Sequence, residues 1–146
     1  MTPSDPTTVP LPADLLAAEE QMLQACLAAI GSGDGRRWSA SLRFENLRLL
    51  PVAIRLARGL IAKGQQVVLV WPDAGAAALA RRDADDLKES IQDFNQLKRS
   101  SGAEPDERLL LAINPTPADY EDFEALCASH AGPVLMLNGR LEDAAV

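Results

Sequence analysis

A chain of 146 residues, 47% hydrophobic and 24% charged, is long enough to bury roughly two thirds of the surface its unfolded form exposes, so a globular domain needs neither disulfide nor metal to hold it. The formal charge of −7, from 21 acids against 14 bases, excludes a general nucleic-acid binder, which requires a basic face to neutralise phosphates. An aromatic share of 4% calls for an aliphatic core, and two cysteines with a single histidine supply no zinc-binding spacing.

The first twelve residues, MTPSDPTTVPLP, hold four prolines and no basic side chain. That composition predicts a disordered leader rather than a secretory signal or an arginine-rich transit peptide, with a single α/β domain over 13–146. From Ala13 to Ile30, the apolar residues Leu16, Leu23, Leu27 and Ile30 recur at helical spacing until Gly31, Gly33 and Gly35 stop the helix. The glycine-rich GSGDGRRW follows a helix and precedes a strand, the reverse of a phosphate-binding loop, and reads as a plain connection.

WSASLRF (38–44) is the first expected strand. The next helix places Pro51 in its first turn, Leu50, Ile54, Ala57 and Ile61 on one face, and Gly64 at its C-cap. Arg55 and Arg58 interrupt this segment, the most apolar in the chain, so no stretch reaches the ~20 uncharged residues of a membrane span. VVLVW (67–71) is continuously apolar and β-branched, the mark of a strand covered on both faces and hence of a parallel sheet. A helix follows directly from Ala74, and RRDADD (81–86) reads as its solvated end with local ion pairs.

Leu87, Ile91, Phe94 and Leu97 step by 4, 3 and 3, which suggests a further amphipathic helix, or else an irregular connection with a short strand. RLLLAI (108–113) is another buried strand. Thr116 is set as a helix N-cap, with Pro117 at the first helical position and Asp119 as capping-box partner. Tyr120, Phe123 and Cys127 mark the inner face of that helix, and Gly132 and Pro133 break it before a fourth strand, VLMLN. The alternation predicts a mostly parallel sheet of about four strands with helices on both faces, a Rossmann-like three-layer sandwich. Only GRLEDAAV follows the last strand, too little to cover it, which points to C-terminal elements beyond the chain or to a partner on an open edge.

In a parallel sheet the strand ends FEN (44–46), WPD (71–73), INP (113–115) and LNG (137–139) all lie on one edge, where open α/β folds bind ligands. Asn46, Asp73, Gly75, Asn114, Asn138 and Arg140, with Glu45 nearby, are therefore the candidate ligand edge, able to hold a metal, a hydroxyl-rich molecule or a phosphate group. The competing reading is structural. Asn and Asp are favoured caps and turn formers, and Asp73 is placed to accept from the amides that open the next helix. His130 suits a helix C-terminus, and both thiols read as small buried hydrophobes in a reducing compartment. No catalytic residue, metal site or cofactor is assigned.

WPDAGAAALARRD (71–83), with LPADL (11–15) and LMLNGRLED (135–143), resembles an uncharacterised domain family of cyanobacteria and plant chloroplasts. Its members include low-photosystem-II-accumulation proteins and the extension of a chloroplast adenylate kinase. The resemblance runs in order through most of residues 11–143. It departs at Asn138, Gly139 and Arg140, where the family pattern has Asn-Pro-Arg, and the family domain usually continues past RLED. The resemblance implies a non-enzymatic accessory or assembly factor of photosynthetic complexes, cytoplasmic or stromal, with photosystem or membrane-insertion components as partners. The alternative is a small-molecule or phosphate-binding α/β domain using the strand-end cluster.

Overall fold

The computed structural model describes residues 12–32, 37–42, 48–100 and 107–138; the leader expected over 1–12 lies outside them except for Pro12. The elements are α1 (Pro12–Ser32), β1 (Arg37–Ala40), α2 (Leu49–Ala62), β2 (Val67–Trp71), α3 (Ala74–Asp83), β3 (Ile91–Asp93), α4 (Phe94–Ser100), β4 (Leu109–Ile113), α5 (Tyr120–Ser129) and β5 (Val134–Leu137). Short 3₁₀ segments occupy Asp85–Ser90 and Pro117–Asp119. The strands form one sheet in the order β1-β5-β4-β2-β3, and every pairing is parallel.

All five residues of β2 and of β4 are buried, because inner parallel strands are covered on both sides. Alternation sends Val67, Leu69, Trp71, Leu109, Leu111, Ile113, Leu135 and Leu137 to one face, where α1, α2 and α3 pack. Val68, Val70, Leu110, Ala112 and Val134 meet Phe94 and Leu97 of α4 and Phe123 and Leu126 of α5 on the other. On the first face the register aligns Trp38, Leu135, Leu111, Leu69 and Ile91 in a row across all five strands. Each fully buried leucine in such a row contributes about 1.5–3 kcal/mol. Ala77 and Ala80 are completely buried, and their small side chains let α3 lie close to the sheet.

From β1 the chain winds through β2 to β3 with α2 and α3 on one face, then returns through β4 to β5 with α4 and α5 on the other. Reversing direction and face together keeps the hand of the crossovers constant. Two glycines are fixed by geometry. Gly64 has φ +94° just past α2, a left-handed helix end that side chains disfavour. A Cβ on Gly132 would come within 2.4 Å of the Glu107 carbonyl oxygen and 2.5 Å of that of Arg108.

Several expectations change. The sheet has a fifth strand, because Ile91–Asp93 pairs with β2; the alternative of an irregular connection with a short strand holds over the continuous helix that the apolar spacing favoured. Leu87 and Ile91 pack on the α1–α3 side whereas Phe94 and Leu97 pack on the other, an arrangement one helix on one side of a sheet cannot make. The last strand is not an open edge, since β5 pairs with both β1 and β4. The first strand is shorter than expected, ending at Ala40. On α2 the buried residues are Val52, Ala53, Ile54, Leu56, Ala57 and Leu60, while Ile61 is exposed. The segment is apolar enough to offer several stripes, and packing against sheet and α1 selects this one. Tyr120, expected inside, is 41% exposed; it stands at the junction with the 3₁₀ turn, and Leu126 fills the inner face instead.

Candidate functional site

The neighbouring strands β2 and β4 send their chains to opposite faces, β2 into α3 and β4 toward α5. Their departing loops part at the carboxyl edge, and this divergence is the physical origin of the ligand crevice of open α/β folds. Here it leaves an open cleft of about 510 Å³. Trp71, Pro72, Asp73 and Ala76 line it from the β2 side, Ile113, Asn114, Thr116 and Asp119 from the β4 side, and Leu49 from the start of α2.

Asp73 is the N-cap of α3. Its backbone is extended, and Oδ2 accepts a 3.0 Å hydrogen bond from the Ala76 amide. Gly75 leaves room for this carboxylate, since a Cβ there would sit 3.2 Å from Asp73 Oδ2. Across the cleft, Asp119 Oδ2 accepts from the Thr116 amide at 2.8 Å and from the Thr116 hydroxyl at 2.9 Å. Two positive helix-type N-termini therefore meet at the cleft, and each already carries its own carboxylate. Among the described residues no basic side chain lines it. A phosphate would face two acids, so the cleft suits an uncharged, hydroxyl-bearing or cationic molecule better than an anion.

Asn114 turns the chain out of β4 with φ +50°, a left-handed conformation that Asn tolerates better than most residues. Its amide donates to the Leu137 carbonyl at 2.7 Å, and its side chain is exposed beside the cleft. Asn138 shares the left-handed geometry, φ +52°, but not the exposure. Its Oδ1 accepts from the Leu42 amide at 2.7 Å and its Nδ2 donates to the Leu42 carbonyl at 3.0 Å. The side-chain amide thus replaces one residue of strand, continuing the β1–β5 ladder past its end. Asn138 is 7% exposed and lines β1 rather than the cleft. The structure therefore brings Asp73 and Asn114 together at the cleft, places Gly75 beside Asp73 only, and commits Asn138 to the backbone; Glu45, Asn46 and Arg140 lie outside the described residues.

Sequence reasoning missed Trp71, Leu49 and Ala76 as cleft residues and read Thr116 and Asp119 only as caps. The Trp71 indole is 5% exposed and its Nε1 has no hydrogen-bond partner among the described residues. Asp93, at the same edge on β3, was also missed. Its Oδ1 accepts from the Gln96 amide at 2.8 Å while Gln96 Oε1 accepts from the Asp93 amide at 3.0 Å. DFNQ is thus a reciprocal cap readable in the sequence. Arg81, expected in solvent, donates from Nε and Nη2 to the Ile91 carbonyl at 3.1 and 2.9 Å and also to Gln96 Oε1, fastening α3 to β3. Arg82 and Arg58 form exposed ion pairs with Asp83 and Asp86.

His130 stands at the C-cap of α5, 6% exposed, and its Nε2 donates to the Arg108 carbonyl at 2.6 Å. Cys26 is buried in the core, and burial pushes its thiol up to about 11. Among the described residues no group of three or more His, Cys, Asp or Glu side chains could hold a metal. No described helix is long and apolar enough to cross a membrane.

A family model described as "Domain of unknown function (DUF1995)" matches residues 12–146. No curated protein and no solved structure matches the chain.

Proposed function

Since the chain belongs to the DUF1995 family across residues 12–146, we propose that it is a non-enzymatic accessory factor in the assembly of photosynthetic complexes, acting by binding a protein partner on the cytoplasmic or stromal side. One observation carries the preference for binding over catalysis. Asp73 and Asn138 at the strand ends and Asp119 across the cleft, the side chains best suited to chemistry, are each spent on backbone groups: the Ala76 amide, the two polar groups of Leu42 and the Thr116 amide. A carboxylate held in a cap is poorly placed to accept a proton from a substrate. The photosynthetic setting is supported by the WPDAGAAALARRD and LMLNGRLED resemblance. Affinity capture with the tagged chain on solubilised photosynthetic membranes tests the proposal. Photosystem or membrane-insertion components should be enriched over an untagged control, and enrichment of neither class rejects the reading.

The position of the cleft at the β2/β4 divergence favours a second reading, a small-molecule-binding domain. Its lining narrows the ligand to a neutral polyol-like or cationic compound. Thermal-shift measurements against sugars, polyamines, nucleotides and sugar phosphates test it. A rise in Tm with the first two classes supports the reading, and a flat response across the panel discards it.

A further inference from the structure

Adjoining the strand-edge cleft, α2 and α3 leave between them a second groove of about 550 Å³. Leu50, Pro51 and Ile54 of α2 and Leu79 of α3 give it an apolar lining, and Arg48, Arg55 and Arg82 stand along it with Asp83 as the single lining carboxylate. Both halves of this lining run against the rest of the molecule. Leu79 is 46% exposed, one of four large hydrophobic residues left so open among those described. The chain as a whole carries 21 acids against 14 bases, yet here guanidinium groups outnumber carboxylates.

The arginines differ in how far they are committed. Arg55 is held to Glu19 of α1 through two hydrogen bonds of 2.8 and 2.7 Å. Arg82 meets its neighbour Asp83 only at 3.3 Å, with 72% and 43% of the two side chains exposed, a contact solvent largely screens. Arg48 forms no ion pair with another described residue.

We propose that this groove docks an acidic amphipathic helix of a partner protein, with aliphatic side chains laid against Leu79 and Ile54 and carboxylates against Arg48 and Arg82. A trough between two helices matches the ridges of a third helix, and charge complementarity selects an acidic one. A membrane surface is a poorer fit, because a planar bilayer cannot enter a concave trough. The assignment rests on the protein-binding reading above and names its surface and partner chemistry.

The probe is a fluorescein-labelled synthetic helix with Leu at every third and fourth position along one face and Glu on either flank, titrated by anisotropy. Saturable binding should weaken about tenfold or more in the Arg48→Glu/Arg82→Glu double variant and in Leu79→Ser, and should weaken as salt rises. All three residues are outside the core, and matching thermal melts verify that the fold is kept. Three outcomes overturn the proposal: no saturable binding by the unaltered protein, equal binding by the variants, or arginine-dependent binding to phosphatidylglycerol vesicles without peptide binding. The double variant in membrane capture separates the two claims. Undiminished recovery of photosystem components refutes the groove alone, whereas no recovery by the unaltered protein refutes the assembly role itself.

Discussion

Replacing Asn138 removes the one side chain that continues the β1–β5 ladder. In Asn138→Ala, the buried Leu42 amide and carbonyl lose partners held at 2.7 and 3.0 Å. Each unsatisfied buried polar group costs about 1–3 kcal/mol. The new alanine must also adopt φ +52°, which adds about 1 kcal/mol. The sum, about 3–7 kcal/mol, is a large share of the ~5–15 kcal/mol that holds such a domain together. At about 3 °C per kcal/mol for a chain of this size, Tm should fall by roughly 10–20 °C. Asn138→Gly loses the same hydrogen bonds without the backbone penalty, so it should be about 1 kcal/mol less damaging. Urea unfolding of the three proteins, followed by far-UV circular dichroism, measures both differences. An alanine variant within about 1 kcal/mol of the original, or a glycine variant less stable than alanine, would refute this account of the residue.

Three further outcomes follow from geometry already described. Asp73→Ala should cost about 1 kcal/mol through the lost N-cap, and Asp73→Asn much less; if both variants lose the same amount, charge rather than capping governs the site. Gly132→Ala forces a methyl group into the Glu107 and Arg108 carbonyls and should destabilise by about 3 kcal/mol or more, since the obstacle is backbone; a melt unchanged from the original would contradict the close approach. Cys26 is pushed up to about 11 from a reference of 9.0, so the unfolded chain releases this proton first. Its contribution is complete below pH 9 and declines as pH rises toward 11, by about 2–3 kcal/mol in all. Denaturation at pH 8 and pH 10.5 should show this decline, and Cys26→Ala should reduce it; an identical slope in the variant would sink the assignment.

The inner strands were legible because burial on two faces imposes unbroken apolar runs, and VVLVW and LLLAI have little other use. Helix starts were legible where a capping side chain writes itself into the sequence, as at Asp73 and Thr116. β3 was legible only as the alternative of an irregular connection with a short strand, since three residues are too few to establish a period and Leu87, Ile91, Phe94 and Leu97 happen to fall at helical intervals. The reciprocal bonds of Asp93 and Gln96 were the available signal, marking a helix start in the middle of the assumed helix. At the site, the strand-end rule located Asp73 and Asn114 correctly on one edge, since it depends only on parallel topology. It failed to separate Asn114 from Asn138 because that difference depends on strand order. Only the placement of β5 beside β1 gives Asn138 a backbone to bind, and pairing across 96 positions leaves no local trace in the sequence.

The position of β1 also has a consequence for the order in which the chain folds. Among the described strands its one partner is β5, so β1 finds its neighbour only after residues 134–137 have left the ribosome. Until then β2, β3 and β4 can pair among themselves, while β1 is tied to them through the packing of α1 and α2 rather than through a strand partner. Closing so long a loop slows folding more than it costs stability. The apolar flank of β4 that later receives β5 remains uncovered in the interval. A nascent chain stalled before residue 134 should therefore expose an N-terminal segment to proteases that the completed chain protects.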